Sequence, residues 1–295
     1  MLTISSTPFR LRLLATCLFF AANTGFPGVG SASMAQQPAS SLSDGQAGWV
    51  YSDIADLATV APVVVKGTIT EVVFLKPAQS AGVPQGYRRA YIKAKANGLI
   101  RGDGGVAPVL AYLYDVPIDS RGKPLKLKKR QVILFARPGT RPGEIQLVTP
   151  GAQVDWSPAN ESTARSVVSE LLAAKAPPKI IGLGDAFHVA GTVQGESETQ
   201  IFLKTDSGEP VSLSIVRRPG QDAQWAVALG EIVDEAADSP KPNTLLWYRL
   251  ACGLPATLPS ASVRTLAVPD AEAARADYRL VIERLGPCGR SRKTR

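Results

Sequence analysis

The chain has 295 residues, 45% hydrophobic and 20% charged, with a formal net charge of +8. That balance describes a globular protein rather than a disordered one. A single His excludes multi-histidine metal centres within one chain.

Residues 1–35 contain no acid. Arg10 and Arg12 precede the apolar run Leu13–Ala22, and small residues follow up to Ser33-Met34-Ala35. This order reads as a secretory signal peptide cleaved after Ala35, with Ala32 as the alternative. The apolar run is too short for a spanning helix, which needs ~20 residues. Removing 1–35 removes two Arg and Cys17, so the mature chain carries +6 and only Cys252 and Cys288. An oxidising compartment favours a disulfide between these two. Residues 36–50 read as a flexible mature N-terminus.

Ser52 is expected to cap a short helix with Ile54 and Leu57 on one face. Strand signals follow at Pro62–Phe74, Arg88–Ile100, Pro108–Val116, Gln131–Ala136 and Glu144–Val148. Gly67, inside the first, marks a bend or bulge. Five strands across 51–150 predict a small OB-like barrel. Ser157-Pro158 opens a helix whose apolar positions are Ala164, Val167, Val168, Leu171 and Leu172. It ends before Pro177, and 157–180 reads as helix and linker. An antiparallel module is expected over 183–240, with strands at Phe187–Val193, Thr199–Thr205, Val211–Val216 and Trp225–Val233. Phe187–Val193 (FHVAGTV) faintly echoes Val63–Ile69 (VVVKGTI). The end, 241–295, reads as two helices and a basic tail. Asn243 caps the first helix and Asp270 the second, whose apolar face is Ala274, Tyr278, Val281, Ile282 and Leu285. Cys252 and Cys288 each close one of these helices. The fold class is therefore α+β, mainly antiparallel: an OB-like barrel, a small β module and a C-terminal helical pair.

Charge is segregated. Residues 121–143 hold eight Lys/Arg and no acid, whereas 183–240 hold ten acids and three bases. Lys123, Lys126, Lys128, Lys129, Arg130 and Arg137 form the candidate binding ribbon. Three roles compete for it. Lysines can protect an edge strand from aggregation. The basic module can dock on the acidic one. Or the ribbon binds an anionic envelope polymer, lipid headgroups or a protein partner. Nucleic acid is not expected, because the chain is exported and no aromatics interleave the basic run for base stacking.

Catalytic constellations are sparse. His188, the only His, lies in a strand-like run, and no Gly-x-Ser-x-Gly elbow accompanies it. Glu196 and Glu198 sit two apart, so on a strand they share a face; paired carboxylates can do acid/base work. Glu231, Asp234, Glu235 and Asp238 form an acidic stripe without an EF-hand pattern. No cofactor, metal or catalytic residue is assigned.

Ser52–Ala58 leading into Val63-Val64-Val65-Lys66-Gly67-Thr68-Ile69, with Gln131–Phe135 later, resembles the netrin/TIMP-like barrels of some exported bacterial proteins. The resemblance implies an OB-type barrel. Inhibition by that family depends on an N-terminal Cys that the mature chain lacks. The stretches Glu196–Leu203, Trp225–Glu235 and Trp247–Cys252 resemble exported bacterial proteins to which no function is attached. The expected function is a non-catalytic periplasmic or secreted binding or scaffold protein. A carboxylate-dependent hydrolase and a protease-inhibitor-like module are the alternatives.

Overall fold

Two consecutive apolar runs, Val63-Val64-Val65 and Val132–Phe135, decide the first sheet. A strand apolar at successive positions must be covered on both faces. In the computed structural model, which describes residues 48–230 and 239–292, both runs are covered in this way. β1 (Val63–Phe74) pairs antiparallel with β2 (Tyr87–Arg101) and with β4 (Gln131–Pro138). β2 also pairs β3 (Val109–Pro117), and β4 pairs β5 (Ile145–Leu147) and β6 (Gln153–Asp155). The order is β3-β2-β1-β4-β5, with β6 on β4. Val65, Val132 and Leu134 point into a cluster with Ile92, Leu110 and Tyr112. Val64, Ile133 and Phe135 point the other way, into a cluster shared with the helices.

The expected five-stranded OB-like barrel is not found as a closed barrel among the described residues. The sheet has six strands, and one parallel bridge, Ala111↔Glu144, joins the ends of its path. Gly67 does sit at a register shift; a Cβ there would lie 3.1 Å from the Lys95 carbonyl.

Helix α1 (Tyr51–Val60) begins two residues earlier than expected, with Val50 as its N-cap and Ser52 inside it. Helix α2 (Pro158–Leu171) matches its sequence signals: Ser157 Oγ accepts from the Asn160 N–H, and Ala164, Val167 and Val168 are buried.

The second sheet is a meander in the order β10-β9-β8-β7. Its strands are β7 (Ile180–Ala190), β8 (Ser197–Thr205), β9 (Val211–Arg217) and β10 (Gln224–Ala228). β7 starts seven residues before the expected Phe187, because Gly182 and Gly184, which look like turn residues, lie within it across two register shifts. It ends before Gly191, whereas Gly67 is inside β1, so the VVVKGTI/FHVAGTV echo falls on unlike structure. Ile201, Leu213, Ile215 and Val227 share a core with Tyr278 and Val281 of α4 (Val268–Leu285) and Leu245 of α3 (Leu245–Ala251). Thr244, not Asn243, caps α3, its hydroxyl accepting from the Trp247 N–H. Ala267 precedes α4, and Asp270 sits in its first turn. The fold is mixed α+β with mainly antiparallel sheets and, among the described residues, four α-helices. Residues 1–47 with the cleavage site at Ala35, the acids Glu231, Asp234, Glu235 and Asp238, and the last three tail residues lie outside the described residues.

Candidate functional site

The basic run is not on an edge strand. β4 is interior, paired on both sides, whereas β3 ends the strand order, so the run flanks an end strand rather than forming one. Residues 118–130 instead form the connection from β3 to β4. Asp119 starts it, its carboxylate accepting from the Arg121 and Lys123 N–H groups at 2.9 and 2.8 Å. Such a side-chain-to-backbone turn fixes the local chain direction. Leu125 N–H donates to the Pro117 carbonyl at 3.0 Å, and Lys129 N–H to the Ile69 carbonyl at 2.8 Å. Between these ties Leu127, 3% exposed, plugs the interior cluster of the first sheet. Lys129 takes φ 72°, a left-handed turn that returns the chain to β4.

The result is a pinned loop with its cations turned outward. Lys123, Lys126, Lys128 and Lys129 are exposed, and none has a carboxylate partner among the described residues. Arg130 is half-buried and lies 3.5 Å from Asp155; Arg121 lies 3.6 Å from Asp119. Arg137 is exposed but opposite Gln146 at the other end of β4. At ~3.3 Å per residue it stands ~20 Å along the strand from the loop, so it does not join the group. Four unpaired lysines on one anchored loop make a local positive field that salt screens over ~8–10 Å.

Glu196 and Glu198 end up near one another. Glu196 closes the β7–β8 turn, its carbonyl accepting from Gly191 N–H at 2.7 Å. Glu198 is exposed on β8, opposite Val189 and Val216. Both line a groove of about 1330 Å³ with Ser214, Arg218, Gln224 and Trp225.

His188 has a structural role. Its Nδ1 lies 2.8 Å from Thr199 Oγ1, and the Thr199 hydroxyl donates to Asp277. That hydroxyl has one proton, so the imidazole Nδ1–H is the donor to Thr199. Arg217 Nε donates to the other Asp277 oxygen at 2.6 Å. Here the hydroxyl sits between the imidazole and the carboxylate. A hydrolytic triad needs the imidazole between the other two. The four side chains instead fasten α4 to β7, β8 and β9. Asp277, 1% exposed, was missed in the sequence. Its signal was an acid three residues after Ala274 and four before Val281, inside an apolar stripe.

Cys252 and Cys288 are bonded, with S–S 2.03 Å. Beside them the C-terminal segment is held on α1. Asp56 accepts from Arg290 at 2.6 and 2.9 Å and from the Tyr248 hydroxyl. Burial, then Asp56, pushes the Tyr248 hydroxyl up to about 12. Asp53 accepts from the Ser291 and Arg292 N–H groups at 3.1 and 3.2 Å, and Arg292 stacks 3.9 Å from the Trp49 ring centroid.

A second carboxylate hub secures the first sheet. Glu161 of α2 accepts from Trp156 Nε1 at 2.6 Å, Arg165 at 2.8 Å and Lys66 Nζ at 3.0 Å. Those three donors, Trp156 foremost, hold its carboxyl down to about 2.

Among the described residues, no group of three or more His, Cys, Asp or Glu could hold a metal ion. No described helix is long and apolar enough to cross a membrane. Compared with known proteins, the chain matches no family model and no curated protein.

Proposed function

We propose that the protein is an exported, non-catalytic binding or scaffold protein whose basic loop engages an anionic component of the cell envelope. On this reading the first sheet is an OB-like barrel. The strand order β3-β2-β1-β4-β5 and the parallel Ala111↔Glu144 bridge support that assignment. Export rests on the N-terminal signal pattern and on the disulfide, which suits an oxidising compartment. The observation that carries the binding reading is the loop: Lys123, Lys126, Lys128 and Lys129 exposed and without a described carboxylate partner, over a buried Leu127 anchor. Basic side chains that only solubilise a surface need no such anchor. The ligand class is an acidic polysaccharide or an anionic headgroup layer.

The test is a salt series on immobilised acidic polysaccharide and on anionic vesicles. It compares the native chain with a variant in which the four loop lysines are Gln. A second variant with Lys95, Lys175, Lys179 and Lys204 changed to Gln matches its net charge. At roughly 1 kcal/mol per lysine near an anionic surface, the loop variant is expected to bind on the order of 10³-fold more weakly than the native chain. The control should remain close to native. Equal loss in both variants would reduce the attraction to net charge.

A carboxylate-dependent hydrolase is the second reading, favoured by the shared groove of Glu196 and Glu198. Turnover of a glycan substrate that Glu198→Gln abolishes would establish it in place of the first.

A further inference from the structure

β7 to β10 turn Ile201, Leu213, Ile215 and Val227 into the core shared with α3 and α4. Alternate residues turn to the opposite face. The strand register sets those residues in rows across the sheet. One row is Val189, Glu198, Val216 and Gln224, and the next is Phe187, Gln200, Ser214 and Ala226. At ~4.8 Å between strands, each row crosses ~14 Å. Next to β10 stand Trp247 and Arg284. The first donates through Nε1 to the Leu285 carbonyl at 2.9 Å, the second through Nη1 to the Ala223 carbonyl at 2.6 Å. The first row, Ser214 and Ala226 of the second, and Trp247 and Arg284 line the groove of about 1330 Å³, together with Glu196 and Arg218.

The polar side chains of this groove do not satisfy one another. Glu196 and Glu198 have no cationic partner, and Arg218 and Arg284 no carboxylate partner, among the described residues. Ser197 stands opposite Arg217, so Glu196 and Arg218 lie at the same end of the sheet and still do not pair. On the floor, Ser214 is 6% exposed, and its hydroxyl has no hydrogen-bond partner among the described residues. Its neighbour Ser212, on the same face of β9, accepts from Gln200 Nε2 at 3.4 Å. Buried hydroxyls in folded proteins are ordinarily bonded in this way. Ser214 faces the groove instead. Gln224 is exposed there and offers an amide with donors and an acceptor.

This mixture selects the ligand. A polyanion entering the groove meets Glu196 and Glu198, and a polycation meets Arg218 and Arg284. Acid and base share one end of the sheet, so two separated charges on a ligand are not matched either. An uncharged polyhydroxyl chain meets no like charge. Each hydroxyl both donates and accepts, so it satisfies acceptor-only carboxylates and donor-only guanidiniums alike. Within each row an apolar residue stands beside a polar one: Val189 by Glu198, Val216 by Gln224, Ala226 by Ser214. A sugar ring presents the same alternation, C–H groups beside hydroxyls.

We propose that this groove is a binding site for a neutral glycan, an uncharged oligosaccharide lying across β7 to β10. Glu198 and Gln224 hold its hydroxyls, Ser214 bonds to it from below, and Val189, Val216 and Ala226 carry its C–H faces. The site goes beyond the basic loop, which belongs to the first sheet and takes an anionic ligand. It stands whether or not the loop binds. Binding here does not require that the glycan be cleaved.

The experiment is an NMR titration of the whole mature chain, reading amide shifts residue by residue. The probes are three uncharged tetrasaccharides: cellotetraose, maltotetraose and chitotetraose. At least one should shift Glu198, Ser214, Val216, Gln224 and Ala226 saturably and leave the loop at residues 123–129 unmoved. Its affinity should change less than about twofold between low and high salt, because no charge on the ligand is screened. Ser214→Val and Gln224→Ala should each weaken binding about tenfold, the loss of one hydrogen bond. Ser214→Thr keeps the hydroxyl and should bind within about threefold of native. The exposed Gln224→Ala arm stands even if Ser214→Val fails to fold. No saturable shift with any of the three at millimolar concentration overturns the proposal. Equal binding by Ser214→Val, Gln224→Ala and the native chain overturns it too. An acidic polysaccharide that shifts the groove amides with a steep salt dependence does the same, by giving the groove the loop's ligand. A tetrasaccharide recovered shortened supports the site and supplies the turnover of the hydrolase reading. The loop variant should keep the tetrasaccharide response while losing the acidic polysaccharide, so failure at one site is read separately from failure at the other.

Discussion

The two sheets solve the same burial problem differently. β1 and β4 in the first sheet are covered on both faces, by the sheet's own curled interior and by the layer of α1 and α2. β8 in the second sheet is covered on one. Thr199, Ile201 and Leu203 are buried while Glu198, Phe202 and Lys204 between them are exposed. A strand's hydrophobic period therefore reports how many layers lie over it. The doubly covered sheet is the one that carries the anchored loop of residues 118–130.

The widest separation between the sheets is expected from two phenylalanines. Phe135→Ala, at a fully buried position of β4, should cost ~3–5 kcal/mol, while Phe202→Ala, 38% exposed on β8, should cost less than ~1 kcal/mol. Denaturant titration of the two variants checks this, and equal losses would mean that the layers are not as unequal as described.

The second sheet depends instead on a polar fastening. Asp277→Ala leaves Arg217 and the Thr199 hydroxyl without their carboxylate, and should cost about 3 kcal/mol. Thermal melting gives the size. Proton exchange resolved by strand should place the loosening in β7–β9 and leave β1 and β4 protected. Reducing Cys252–Cys288 comes next. Opening a 36-residue separation should cost about 2–4 kcal/mol. It should free the Arg290–Arg292 segment from α1 before either sheet melts, which proteolysis at the basic tail would report.

The smallest effect sharpens the first sheet. Glu161 has its folded carboxyl near 2, below the ordinary value of ~4.3 for an unfolded chain. Its contribution is therefore present above ~4.3 and is lost as the pH falls toward 2. Glu161→Gln should lower stability at neutral pH and flatten the acid limb of the stability curve, so that variant and native chain converge as the pH falls toward 2. A steeper acid limb in the variant would show that another carboxylate carries it.

Much of this architecture was legible because periodicity reports burial. The long strands β1 to β4 and α2 stand where the residue pattern placed them. β6 was invisible, since Gln153–Asp155 is too short to show a period. β7 was truncated, because Gly182 and Gly184 read as a turn while the strand runs through them. The caps misled where several candidates adjoin: Asn243 beside Thr244, and Asp270 three residues beyond Ala267. The loop lysines were found from charge alone, but their setting was not. Whether a basic run lies on an edge or in an interior connection depends on strand order, which local pattern does not encode. Asp53 and Asp56 escaped notice because their partners lie 192 or more positions away, in the C-terminal part of the chain.

The central claim is that the loop at Lys123–Lys129 is an organised anionic-ligand site. It is tested most directly by the slope of log affinity against log salt for an acidic polysaccharide. Native chain, loop variant and charge-matched control are measured side by side. With about one counterion released per engaged lysine, the account predicts that the loop variant's slope is shallower than native by about three to four, and the control's by less than about one. Equal slopes in the two variants would contradict it.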